Sequence, residues 1–266
     1  MLKPETIHLH LGLEKPVRVL HLTDPHLALA DDTDGDSMKR HARGRRAVFL
    51  GESLADDTGR LGRNLEEAMA YGRDFDATVL TGDVIDFVTH ANLEEAKRIL
   101  SPYDYLFCAG NHEYCQRVGI PGSFAYRDQC MKTVQSAFKG NMVFDSRVVG
   151  GVNLITADNS FYVWSAEQLE QLKEQTARGY PCLLFCHVPL SSPALNHTSA
   201  TEELETDEET VALTRAVTDF IVQSPAIRAV FAGHEHISSV QMLPGGKPCY
   251  ILGGLFRGTV GEITID

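Results

Sequence analysis

Cysteine, basic residues and long apolar runs are all scarce in this 266-residue chain, and each scarcity closes off a class of protein. The six cysteines (Cys108, Cys115, Cys130, Cys182, Cys186 and Cys249) are too sparse for a disulfide-stapled secreted scaffold. No C-x-x-C pair occurs, which argues against a zinc–thiolate site, and Cys182 and Cys186 lie in or beside an apolar run where cysteine acts as a small hydrophobe. Residues 1–19 hold no continuous apolar stretch, because His8, His10, Glu14, Lys15 and Arg18 interrupt it. Neither a secretory leader nor a membrane span is expected, and a reducing cytoplasm is the expected compartment. Lys and Arg number 24 against 36 Asp and Glu, a formal charge of −12 that argues against non-specific binding to nucleic acid. A small anionic substrate stays compatible with that charge, since bound cations reverse the local field. The oligomeric state is not legible.

What is present is ordinary for a folded globule: 43% hydrophobic and 23% charged residues, in a length compatible with one domain over 1–266. Apolar strand-like runs alternate with helical patterns. Residues 17–23 (VRVLHLT), 77–81 (ATVLT) and 105–109 (YLFCA) read as strands, with a helix between the first two carrying Leu61, Leu65 and Ala68 and stopping at Gly72. Asn92 with Glu95 three residues on reads as the cap of a second helix. In the second half, 148–157 suggests a hairpin about Gly150-Gly151, Ser165 with Gln168 caps a helix, 182–186 (CLLFC) is a strand, Thr206 with Glu209 opens a long helix, and 229–232 is a strand. Residues 240–265 read as a short antiparallel series with turns at Pro244-Gly245-Gly246 and Gly253-Gly254. Two polar stretches, near 30–60 and 191–206, are expected to be inserted loops.

The chemistry lies where these strands stop. Asp24 and His26 follow the first strand, Asp83 the second, Asn111 and His112 the third, His187 a later one, and His234 and His236 another. Ligands of open α/β sheets bind at the carboxyl ends of the strands, so residues scattered over most of the chain are expected on one rim. Taken singly, Asp24 reads as a turn residue and Asn111 as a cap, but turn chemistry does not call for five histidines at strand ends. Carboxylate oxygen with imidazole nitrogen and no thiolate suits two ions of Mn, Fe or Zn, divalent or trivalent. Two such ions clamp both oxygens of an in-line phosphoryl displacement, with Asp83 able to bridge them and a water between them acting as hydroxide. His112 is suited to protonate the departing alkoxide or to stabilise charge on the phosphoryl group, and Asp86 to hold the His112 tautomer.

Asp24-Pro25-His26, Gly82-Asp83-Val84-Ile85-Asp86, Gly110-Asn111-His112-Glu113, Cys186-His187 and Gly233-His234-Glu235-His236 resemble, in order, the five signatures of calcineurin-like metallophosphoesterases. The resemblance implies a four-layer α/β/β/α sandwich, with the C-terminal strands in its second sheet. It implies one metal on Asp24, His26, Asp83 and His236, a second on Asp83, Asn111, His187 and His234, and His112 as catalytic histidine paired with Asp86. Phe87 stands where the Ser/Thr protein phosphatases of that superfamily carry a phosphate-binding arginine, which argues against protein-phosphatase activity. The segment Asp158-Asn159-Ser160, with Leu169, Leu172 and LLFCHVPL, is similar to the bacterial cyclic-nucleotide phosphodiesterase branch.

The expected function is hydrolysis of a small phosphoester, leaning to diesters. The alternatives are a phosphomonoesterase, a nucleotide or lipid pyrophosphatase, and a silent binding scaffold of the same fold. A nuclease would need a basic track; Lys39, Arg40, Arg43, Arg45 and Arg46 either recognise a second anionic group or neutralise Asp31, Asp32, Asp34 and Asp36, the latter being favoured. His8, His10, His41, His90 and His197 read as surface and His21 as a satisfied sheet residue. The acidic stretch 202–209 reads as solvent-facing, its later members sitting at a helix N-terminus.

Overall fold

Alternation along the strands decides what each sheet faces. In β2 (Val17–Leu22), Val17 and Val19 join one apolar layer and Leu20 and Leu22 another, as the period-2 geometry of a strand requires. β7 (Cys182–Phe185) and β8 (Ile227–Ala232) split likewise: Leu183, Phe185, Ala229 and Phe231 meet Val17 and Val19 in a central layer, while Leu184 and Val230 face away. The computed structural model describes residues 1–190 and 207–266.

Two sheets enclose that central layer. The first, ordered β1-β11-β2-β3-β4, joins β1 (Lys3–Leu9), β11 (Thr259–Ile265), β2, β3 (Ala77–Leu80) and β4 (Leu106–Phe107), with β2, β3 and β4 mutually parallel. The second runs β5-β6-β7-β8-β10-β9, where β5 (Phe144–Val149) and β9 (Ser239–Leu243) are antiparallel edges around parallel β6 (Val152–Ala157), β7, β8 and β10 (Lys247–Ile251). Over the outer face of the first sheet lie α1 (Gly35–Leu50), α2 (Arg60–Tyr71), α3 (His90–Leu100) and α4 (Phe124–Gln135), contributing Ala42, Leu65, Ile99 and Val134 to its core. Over the second lie α5 (Ala166–Thr176) and α6 (Glu208–Gln223), through Leu172, Val217 and Ile221. The molecule is thus the expected α/β/β/α sandwich. Among the described residues, no helix is long and apolar enough to cross a membrane.

Several local expectations hold. The stripe of α2 ends at Gly72, the Ser165–Gln168 capping box opens α5, and Gly150-Gly151 turns β5 into β6. Others are corrected. Near 30–60, the expected loop is α1 followed by a 3-10 turn, Glu52–Leu54, and the start of α2. α1 buries only Ala42 and Arg46, so it has no apolar stripe to betray it; the Arg46 guanidinium donates to the carbonyls of Ala28 (2.6 Å) and Ala55 (2.7 Å) in place of apolar packing. α3 is capped by Thr89, whose hydroxyl accepts from the Asn92 amide, because the buried Asn92 side chain is engaged by Leu29 and Phe87. Asp207 caps α6, and the expected cap Thr206 and loop 191–206 lie outside the described residues. The C-terminal series is not uniformly antiparallel: β10 runs parallel to β8, and β11 crosses to the first sheet, between β1 and β2.

Candidate metal centre

Every strand leading into the site hands over to a turn carrying a polar side chain, and the turns are unusual in backbone. Asp24 (φ 53°), His26 (52°), Asp83 (52°), His234 (69°) and His236 (58°) all adopt left-handed conformations, as does Tyr162 (59°). For non-glycine residues this costs about 1–2 kcal/mol each, strain that is typically concentrated at functional sites. Hydrogen bonds between the turns hold it in place. Asp24 N donates to Gly82 O (3.1 Å), His26 N to Asp83 O (2.9 Å), His112 N to Asp83 Oδ1 (2.9 Å) and His234 N to Asp24 Oδ2 (3.1 Å). Gly82, at φ 85°, allows close approach of the Gly110 backbone that a Cβ would block.

The seven predicted ligands are brought together. Asp24, His26, Asp83 and His236 offer donor atoms within 4.8 Å of one another, and Asp83 shares a second such group with His187 and His234. Asn111 Oδ1 completes the second group, 3.1 Å from both His187 Nε2 and His234 Nδ1. Each of three rings has its outer nitrogen fixed: His26 Nδ1 on Asp86 Oδ1 (3.0 Å), His187 Nδ1 on Thr81 O (2.7 Å) and His234 Nε2 against the Tyr162 hydroxyl (3.0 Å). Their other nitrogens face inward, the arrangement by which outer partners orient imidazole ligands.

His112 and Asp86 are also in place, with a modified relationship. His112 Nδ1 lies 2.6 Å from the Asp86 carbonyl and 3.2 Å from its Oδ1, so the main-chain oxygen is the nearer anchor. The Asp86 carboxylate is shared: it contacts His26 and accepts a bidentate pair from Arg45 at 2.6 and 2.9 Å. Arg45 comes from α1, and on the same helix Phe49 stacks on the His26 ring at 4.5 Å. The basic run is thus largely spent on structure: Lys39 pairs with Asp32, Arg43 with Glu52 and Asp56, Arg45 with Asp86, and Arg46 caps carbonyls.

Charge is finely distributed here. Burial disfavours the Asp24 carboxylate, but His236 and His26 beside it hold the group well below the usual carboxylate range. Burial likewise opposes ionisation of Asp86 and is outweighed by His112, His26 and Arg45. For His112, burial alone would lower the pKa, yet Asp83 and Asp86 lift it to about 10. The Asp83 carboxylate overcomes burial to raise His187 to about 9, while burial and the neighbouring His187 push His234 down to about 4.

Several contributors went unread in the sequence. Glu113 is wholly buried and accepts backbone N–H bonds from Asp83 (2.7 Å), Gly110 (2.7 Å), Val84 (2.8 Å) and Ile85 (3.2 Å), clamping two site turns together. Asn159 Oδ1 accepts from His187 N (3.1 Å) and Val188 N (2.9 Å), fixing the His187 turn. The remaining histidines stay outside the cluster: His21 is buried against Thr81 Oγ1 (2.8 Å), His90 is exposed beside Asp31, and His41 packs on Phe87. His197 lies outside the described residues.

The donor set suits cations. Asp24 Oδ1 is buried without a well-aligned hydrogen bond, although His236 Nε2 lies 3.2 Å away. His26 Nε2 and His236 Nε2 face each other at 2.8 Å, and His26 has its proton directed to Asp86. Arg45 compensates Asp86, whereas among the described residues the ion-pair partners of Asp24 and Asp83 are all histidines. Carboxylate, imidazole and amide oxygen together suit divalent metal ions.

Residues 17–238 match the family model described as calcineurin-like phosphoesterase. No curated protein matches the sequence. The fold is similar to a dimetal phosphatase from Danio rerio, at 13% identity and TM-score 0.52, covering 91% of this chain and 89% of that one. It is also similar to a purple acid phosphatase from yellow lupin (Lupinus luteus), at 14% identity and TM-score 0.55, covering 91% of this chain but 45% of the lupin chain.

Proposed function

The chain belongs to the calcineurin-like phosphoesterase family and is a metallophosphoesterase, and from that premise we propose that it hydrolyses a small phosphodiester at a two-metal centre held by Asp24, His26, Asp83, Asn111, His187, His234 and His236. The observation carrying this reading is that Asp83 belongs to both donor groups, a bridging position with distinct partners on each side. When bound, the metal pair supplies Lewis acidity towards phosphoryl oxygens and acidifies water.

The protein's own part follows from the rings. Asp86 holds His112 Nδ1, so Nε2 is the nitrogen directed at the centre, 3.9 Å from Asp83 Oδ2. Asp83 and Asp86 favour the charged form of His112 against its burial, and a proton on Nε2 makes it a general acid. As an oxygen from water bonds to phosphorus, the P–O bond to the leaving group breaks, and the His112 Nε2 proton passes to the departing alkoxide. The attacking water gives up a proton to solvent and His112 Nε2 regains one, so that a diester and water give a monoester and an alcohol. Arg45 and Phe49 keep Asp86 and His26 in register from the side of α1.

The diester lean rests on the similarity about Asp158-Asn159-Ser160, where Asn159 braces His187. The measurement that tests it compares bis(p-nitrophenyl) phosphate with p-nitrophenyl phosphate after loading with Mn²⁺. A higher kcat/KM for the diester is expected. Preference for the monoester moves the assignment to a phosphomonoesterase, and hydrolysis of neither removes the small-diester reading.

A further inference from the structure

A cavity of about 390 Å³ adjoins the centre, with Asn111 and His112 among its lining residues and Tyr162 contributed by the turn that touches His234. That volume falls in the range of small-molecule sites. The rest of its wall comes from residues 114–116, 118–123 and 126 and from Ser160 and Phe161. The chemistry of this wall is neutral. Apart from His112, the side chains are apolar or aromatic, such as Ile120, Tyr126 and Phe161, or uncharged hydrogen-bonding groups, such as Gln116; among the described residues, no Asp, Glu, Lys or Arg contributes. The neighbouring cations are engaged elsewhere: Arg127 donates to Asp158 (3.0 Å) and lies over the ring of Phe161, and Arg117 donates to Ser37 Oγ (3.0 Å).

Ser160 adds an independent observation. It is 1% exposed, lines the cavity, and its hydroxyl has no hydrogen-bond partner among the described residues. Buried hydroxyls are normally satisfied, so one left open beside a cavity marks a position for a ligand's polar edge. Ile120, also in the lining, is 52% exposed, an apolar side chain offered to solvent.

Resting on the phosphoesterase reading above, we infer that this cavity seats the leaving alcohol, and that the alcohol carries an uncharged aromatic ring with a hydrogen-bonding edge. Nucleosides and substituted phenols share that chemistry. A leaving group with a further phosphate or carboxylate would bury its charge against a wall that, among the described residues, offers no Lys or Arg and only His112, whose proton is directed to the reacting oxygen, which disfavours pyrophosphates and sugar acids. The placement is productive, because His112 belongs both to the metal centre's surroundings and to the cavity wall.

Two measurements separate this inference from the reading beneath it. Calorimetry of Mn²⁺-loaded protein with adenosine and with p-nitrophenol should show binding of at least one, which also identifies the source of the ring. Ser160→Ala should weaken that binding about 2–10-fold, the loss of one neutral hydrogen bond, with the unfolding midpoint unchanged because the hydroxyl has no protein partner to lose. Ile120→Asp, at an exposed position, should weaken it by at least about 5-fold. In parallel, kcat/KM is compared for methyl phosphodiesters whose second alcohol is a nucleoside, p-nitrophenol or glycerol. The ring-to-glycerol ratio should fall in both variants. If neither ring binds wild-type protein, or if both variants leave binding and ratio unchanged, the cavity is not the leaving-group site. If no diester is hydrolysed yet ring binding and its sensitivity to Ser160 persist, the phosphodiesterase reading fails while the cavity remains a ring-binding site.

Discussion

Replacing Glu113 by Gln changes one atom, and the structure makes that atom expensive. Both carboxylate oxygens are fully used: Oε1 accepts from Val84 and Ile85, and Oε2 from Asp83 and Gly110. Burial first, and Asp83 second, push the Glu113 pKa up to about 7. A protonated carboxyl would turn its own O–H onto one of these donors, however, so the four-donor pattern belongs to the ionised group. Gln has one accepting oxygen and one NH₂. In either flip, two buried backbone N–H groups lose their acceptor and confront another donor. Each unsatisfied buried donor costs about 1–3 kcal/mol, giving about 2–6 kcal/mol in total. For a chain of this size the middle of that range lowers the melting temperature by about 10 °C. Urea unfolding in the presence of a chelator measures the cost apart from any metal contribution. A surface control, Glu66→Gln, loses only an exposed partner of Arg98 and should stay within about 0.5 kcal/mol of wild type. A Glu113→Gln variant as stable as that control would refute the clamp.

Arg45→Met removes the bidentate partner of the buried Asp86 carboxylate; a loss of about 3 kcal/mol and at least tenfold in kcat is expected, read by denaturant titration and steady-state kinetics. His21 should make the protein acid-sensitive. Burial lowers its pKa to about 3, from 6.5, so only the unfolded state takes up a proton between those values and stability falls as pH drops below about 6.5. Relative to His21→Gln, the wild type should lose about 2 kcal/mol between pH 6.5 and 5, measured by urea unfolding at each pH. His112→Ala should retain its metal content yet lose at least about a hundredfold in kcat on bis(p-nitrophenyl) phosphate.

The strand-end residues were legible because chain order, turn chemistry and ligand type agree at each of them. Asp24, Asp83, His187 and His234 follow short apolar runs that only strands explain, and both sheets deliver them to one cluster. α1 was not legible, since its buried positions are an alanine and an arginine rather than an apolar stripe. For the same reason Arg45 read as part of a solvated basic run, although its partner Asp86 is buried and distant in sequence. Glu113 looks like any acid beside a ligand; its role depends on four N–H groups gathered from two turns. The crossing of β11 into the first sheet is a long-range pairing with β1 and β2 that local alternation does not encode. Tyr162 carries no sequence signal for its left-handed backbone, which brings its hydroxyl to His234.

Metal content per chain is the sharpest test of the shared Asp83 position. Protein saturated with Mn²⁺, desalted and analysed by plasma mass spectrometry should hold two ions per chain, and Asp83→Asn, which weakens both donor groups at once, should hold fewer than one. Saturation of the wild type at a single ion, or an Asp83→Asn protein that still holds two, would contradict a two-metal centre bridged by this carboxylate.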